Sequence, residues 1–321
     1  MYAHQVIEDL KFFTKIRRNN KAHDKLLDFH TESLIISIKD SLKFNVHDVK
    51  SMYEMFYKDV GSQLFLGPES KYQRMPFKKI WVDWIRNDDE VIKTGDVKIL
   101  KRGLLVDEIL PNMIAVFVFN FLEDKFLLSQ YGFDKSRWIT PFYGSIFSIG
   151  TTFKENKNLM DFVKLYNLEV DKWIDGNVNF FALSKYYVVN KLDSKRIMEE
   201  DGPDITVLNS LLKLLNCKNI STEKYYPSEK LNKSRKMLGK QPLFTYHTLV
   251  VNPMSEKKRS NAEHEPTGIK QRLHFCRGHF KEYTEQNKLF GKHTGLYWWQ
   301  PMVRGNKELG LVHKDYEVRA A

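Results

Sequence analysis

The sequence predicts an α+β fold. Three observations carry that expectation. Apolar residues recur at helical spacing in the first 60 residues. Aromatic and β-branched segments broken by short polar turns fill residues 77–147, and a second such run fills 243–318. Between them lies a helical middle. The long strand–helix alternation of a doubly wound parallel sheet is not visible.

Residues 1–60 read as helical. In "NVHDVKSMYEMFYKDV", Val46, Val49, Met52, Met55 and Phe56 fall on one face, and Gly61, Gly67 and Pro68 end the region. From 77 to 147, "KIWVDWI" and "VFVFNF" read as strands of an antiparallel meander. Trp81 and Trp84 sit in a strand whose two faces are both apolar, so both are expected to anchor the core. Residues 153–175 return to helix through Leu159, Phe162, Val163 and Tyr166. "NFFALSKYYVV" fits a buried strand or a buried helix, because a continuous apolar run has no period to decide it.

Pro203-Asp204 opens "ITVLNSLLKLLN", a helix expected to be capped by Asp204. A short basic helix follows in "SEKLNKSRKMLGKQP". Ser228 is its expected N-cap, Gly239 its C′ residue and Pro242 its stop. "LFTYHTLVV", "RLHFCRGHFKEY", "LYWWQPMV" and "LVHKDYEV" then read as strands of a C-terminal antiparallel region, with "RGNKELG" as a connecting turn.

With 42% hydrophobic and 13% aromatic residues, the 321-residue chain can bury a sizeable core and is not a disordered sequence. The longest apolar run, "MIAVFVFNFL", is about half of the ~20 residues a membrane span needs, so no membrane partner is expected. "MYAHQVIEDLKFF" lacks the basic-then-apolar layout of a signal peptide. Two cysteines, Cys217 and Cys276, do not make a disulfide framework and suit a reducing cytosol.

The net charge of +11 is concentrated late in the chain. From Lys224 to Ala321 there are 19 Lys and Arg against nine Asp and Glu, and six of the ten histidines. The preceding residues hold 32 against 31. The chain therefore reads as a helical and β region, 1–223, and a basic C-terminal β region, 224–321, or as one continuous domain. Such a field suits a polyanion, DNA or RNA, or else is a lysine-rich solvated surface.

Three blocks carry a resemblance. They are "MPFKKIWVDW", "LNKSRKMLGKQPLFTYHTLVV", and "RLHFCRGHFKEY" with "LYWWQPMVRGNKELGLVHKDYEV". In order and spacing the chain resembles a family of uncharacterised bacteriophage and prophage proteins. Cys276 departs from the pattern, since a second basic residue is common there. The resemblance implies a phage-encoded protein acting in the cytoplasm of a bacterial host, and implies no activity.

The chemistry-bearing residues cluster late: His274, Arg277, His279, Lys281, Tyr283, His293, Arg304, Lys314 and Tyr316. Read as one strand, Arg277, His279, Lys281 and Tyr283 share a face and His274 faces the other way. Arg277, Lys281, Arg304 and Lys314, with Lys233 and Arg235 of the basic helix, are the expected phosphate or nucleic-acid contacts, because guanidinium and ammonium groups stay charged and donate to phosphate oxygens. His274, His279 and Tyr283 could instead serve a metal-independent ribonuclease or phosphotransfer catalyst, with histidine moving the proton and a cation stabilising the phosphorane. The structural alternative is a strand whose polar groups satisfy one another.

No HExxH, CxxC, P-loop, dinucleotide fingerprint or nucleophile elbow is present, so no metal and no cofactor are expected. The aromatics of "GLYWWQP" are core residues or base-stacking platforms. A third class of function is contact with a bacterial host protein, as an inhibitor of a host factor, or a place in the virion.

Overall fold

The structure, a computed structural model, describes residues 2–16, 21–46, 72–85, 92–94, 97–122, 136–139, 145–149, 156–165, 181–182, 194–252, 272–276, 278–300, 302–304 and 306–311. The fold is α+β. The chain forms two compact units, Met1–Asn216 with Thr222–Val250, and Cys217–Ser221 with Val251–Ala321.

The first unit is built on one large sheet. Its elements are α1 (Ala3–Ile16), α2 (Lys21–Asp40), β1 (Leu42–Asn45), β2 (Lys79–Ile85), β3 (Ile92–Thr94), β4 (Val97–Leu110), β5 (Met113–Leu122), β6 (Arg137–Ile139), β7 (Ser145–Ser148), α3 (Lys157–Leu165), β8 (Phe181–Ala182), α4 (Ser194–Leu215), β9 (Ile220–Tyr225), α5 (Glu229–Met237) and β10 (Tyr246–Val251). The strand order is β8-β7-β5-β4-β2-β1-β10-β9, with β3 on β4 and β6 on β5. The meander read over 77–147 is antiparallel throughout β2, β4, β5 and β7. β1 adds a parallel ladder on each side, to β2 and to β10.

Strand alternation sorts the core into two layers. Ile80, Val82 and Trp84 of β2, with Leu104 and Val106 of β4, pack against Leu208, Leu211 and Leu212 of α4. Trp81, Leu105 and Phe119 point the other way, into Ile7 and Leu10 of α1 and Leu34 and Ile38 of α2. Trp81 and Trp84 are both fully buried, as core anchors.

Three expectations are corrected in this unit. β1 lies within the stretch read as helical. Four residues are too few to show a period, and α2 stops where Lys43 Nζ and Ser41 Oγ take up its terminal carbonyls. The helix read over 45–60 lies, beyond Val46, outside the described residues. Asp204 does not cap a helix, because α4 already starts at Ser194 and runs through Pro203. Asp204 is instead buried, 3.6 Å from Arg102 Nε, and Arg102 also donates to Asn120. A buried guanidinium in the centre of a sheet requires a carboxylate, and this one outweighs the capping preference. "LFTYHTLVV" supplies β10 to the large sheet, beside β1.

The second unit holds β11 (Arg272–Cys276), β12 (His279–Tyr283), β13 (Gly295–Trp299), β14 (Met302–Arg304) and β15 (Asn306–Leu311). β14-β11-β15 form one small sheet, antiparallel between β11 and β14 and parallel between β11 and β15. β12 and β13 form an antiparallel hairpin. "RLHFCRGHFKEY" thus supplies two strands, Arg272–Cys276 and His279–Tyr283, to two sheets, and "NKELG" is part of strand β15. Asn219 fastens the hairpin, donating to Trp298 O and accepting from Trp298 N at 2.8 and 2.9 Å.

Candidate nucleic-acid interface

α5 is held by polar contacts and has no buried residue. Ser228 accepts from the Leu231 amide and caps its start, as its position before "EKLN" predicts. Its end is a Schellman motif: Gly239 N donates to Lys236 O, Lys240 N donates to Arg235 O, and Gly239 takes a φ of +65°. Asn232 exchanges hydrogen bonds with the Leu243 backbone at 2.7 and 3.0 Å. Arg235 donates to Glu8 of α1 at 2.7 Å and to Gln241 O at 2.8 Å, and Gln241 N donates to the same Glu8 oxygen. The side chains of Asn232 and Arg235, one turn apart, seat the helix on the unit.

The rest of the helix surface is left to solvent. Lys230, Lys233 and Lys236 recur every third residue, in a row that winds from the side opposite Asn232 and Arg235 round towards Asn232, Lys240 follows the cap, and all four are exposed. Glu229 is the only acidic residue of the helix. None of these four lysines is in an ion pair among the described residues. At the two ends of the helix stand apolar groups that a folded chain ordinarily covers: Tyr226, before the N-cap, is 74% exposed, and Met237 and Leu238, at the C-terminal end, are 76% and 68% exposed. The Tyr225 ring stacks on Tyr246 at 5.2 Å and 12°.

Arg235 charges this surface from beneath rather than on it, since its guanidinium is engaged with Glu8 and Gln241. It also bears on His4. Burial and then the Arg235 charge push the His4 imidazole down to about 4, so it is neutral at pH 7.

In the second unit the expected site residues separate. His274 of β11 stands opposite Arg304 of β14 in the ladder. Arg304 is exposed, with Nε 3.0 Å from Met302 Sδ. His279, Lys281 and Tyr283 alternate along β12, opposite Trp299, Tyr297 and Gly295. His279 and Lys281 are exposed, and Lys281 Nζ lies 4.9 Å from the Tyr283 ring centre. Tyr283 is buried, edge-on to Tyr297 at 5.7 Å, in a small core with Leu289. Burial, and then the neighbouring Tyr283 phenol, raise the Tyr297 phenol above its usual range. Arg277, Lys314 and Tyr316 lie outside the described residues, as do the side-chain surroundings of His274. His274 and His279 stand in two different sheets.

Sequence reasoning located the lysines of α5 and passed over Tyr225 and Tyr226. The available signal was a tyrosine pair directly before a proline and a helix cap, where an apolar periodicity has already ended. Comparison with protein-family models, curated proteins and solved structures gives no match for the chain.

Proposed function

We propose that this is a nucleic-acid-binding protein encoded by a bacteriophage or prophage and acting in the cytoplasm of its bacterial host. The phage origin is supported by the three resembling sequence blocks. No described helix is long and apolar enough to cross a membrane. The single observation that carries nucleic-acid binding is the α5 surface, where Lys230, Lys233 and Lys236 of a helix with no buried residue and a single glutamate, and Lys240 just beyond its cap, have no ion-pair partner among the described residues. A lysine row without internal partners retains its full field for phosphate. Lys281 and Arg304, both exposed, add cations on the second unit.

Gel-shift titration of mixed-sequence DNA and RNA at about 50 and about 200 mM salt tests the proposal. Binding should weaken steeply as counterion release loses its drive. Arg304→Ala should fold normally and lower the log–log salt slope by roughly one for one lost phosphate contact. Absence of binding to both nucleic acids at the lower salt would sink the reading.

A further inference from the structure

We infer that the α5 surface takes single-stranded nucleic acid, with bases stacking on Tyr226 at the start of the helix and lying on Met237 and Leu238 at its end, while the lysine row between them follows the phosphates. The inference rests on the nucleic-acid reading and narrows it to one class of ligand. Two independent features of the same short segment meet here. One is charge: Lys230, Lys233 and Lys236 repeat at about 4.5 Å of helical rise, on a helix with a single carboxylate. The other is uncovered apolar surface. Tyr226, Met237 and Leu238 are each more than two-thirds exposed, and no hydrogen bond or ring contact holds Tyr226 among the described residues.

Charge alone would suit any polyanion. The apolar groups discriminate. In a duplex the base faces are stacked on one another, and only base edges and backbone are offered to a protein. An unstacked strand presents open π-faces, which tyrosine rings cover without regard to sequence. Tyr225 is already stacked flat on Tyr246 and is 44% exposed, so the platform beside Tyr226 is fixed before any ligand arrives. An acidic polypeptide would satisfy the lysines and leave the tyrosine and methionine wet.

The test is fluorescence anisotropy with the full chain and labelled oligo-dT, oligo-rU and a DNA duplex of matched length, at about 50 and about 200 mM salt. Single strands should bind about tenfold or more tighter than the duplex. Tyr226→Ala should weaken single-strand binding by about 5- to 150-fold, the loss of one stacked base, and Tyr226→Phe should keep it. The triple variant Lys230→Ala, Lys233→Ala, Lys236→Ala should lower the single-strand salt slope by about 2, at ~0.7 per phosphate contact. All these side chains are exposed, so each variant should melt with the parent protein. Binding of either oligo-dT or oligo-rU supports the site, and their ratio identifies the sugar preferred. Equal binding of the duplex with a silent Tyr226→Ala would overturn the single-strand inference and leave nucleic-acid binding standing. Failure of every nucleic acid to bind would overturn both. Displacement of the strand by polyglutamate of equal charge would make the face a general polyanion site and overturn the inference.

Discussion

A methyl group at position 103 would sit 2.6 Å from the Trp81 indole, closer than real carbon contacts allow. Trp81 lies across β4 at this glycine, packs on Phe119 at 5.2 Å, and donates its indole N–H to the buried Asp83 carboxylate at 2.8 Å. Tyr2 N donates to the same Asp83 oxygen at 2.6 Å. Size and polarity are therefore both fixed at one position. Trp81→Ala should lower unfolding free energy by about 3–5 kcal/mol in urea titration, through cavity formation and the lost donor to Asp83. Gly103→Ala should cost about 1–3 kcal/mol through overpacking, because the ring it meets is itself buried and cannot yield. Wild-type melting of Trp81→Ala would show that the indole does not anchor the core, and wild-type melting of Gly103→Ala that the ring is free to move. His4 gives a pH dependence of known sign. Its folded pKa, about 4, lies below the usual 6.5, so between those values the unfolded chain binds more protons. Stability contributed by neutral His4 is intact above about 6.5 and falls as pH drops towards 4. Denaturant titrations at pH 7 and pH 4.5 should show this loss, and His4→Gln should reduce it.

Elements differ in how far local sequence determines them. α5 was legible to the residue, because its caps, Ser228 and Gly239, are chosen by backbone geometry within the helix itself. Gly239→Ala should cost about 1–2 kcal/mol from the left-handed backbone alone, since nothing lies within 4 Å of the added carbon. A change smaller than the error of a thermal melt would mean that the helix end frays. The β2–β4–β5 meander was legible because its faces are both apolar and its turns are polar. β1 was not, and neither was the role of Asp204 or Arg235. Their structures are set by partners remote in sequence: β1 by β2 and β10, Asp204 by Arg102, Arg235 by Glu8, 227 residues away. The division of "RLHFCRGHFKEY" was hidden for a related reason. Strand periodicity passes unbroken through Gly278, and only pairing partners reveal that β11 and β12 belong to different sheets. The candidate site was half legible, since the lysine row shows in composition whereas exposure of Tyr226 depends on the fold around it.

At the scale of the whole molecule, the cores formed by the described residues of the two units differ greatly in size. In the first, the layers on the two faces of the sheet bury six aromatic side chains and more than twenty aliphatic ones. In the second, the hairpin core is Tyr283, Leu289 and Tyr297, with Trp299 packed against it, and Phe280 on Trp298 at 4.8 Å on the other face. Buried apolar area sets the free energy of local opening, so amides of β12 and β13 should exchange with solvent well before those of β4 and β5. Asn219 is what makes this measurable at a single point. Its carboxamide accepts from the Trp298 amide and donates to the Trp298 carbonyl, in the manner of a neighbouring strand. Asn219→Ala leaves a buried amide and carbonyl of β13 without those partners, a cost of about 1–3 kcal/mol. Hydrogen exchange followed by mass spectrometry should then show lost protection confined to peptides covering 279–299, with peptides from β4 and β5 unchanged. Loss of protection across both units would show that they unfold as one, and the difference in core size would have no energetic consequence.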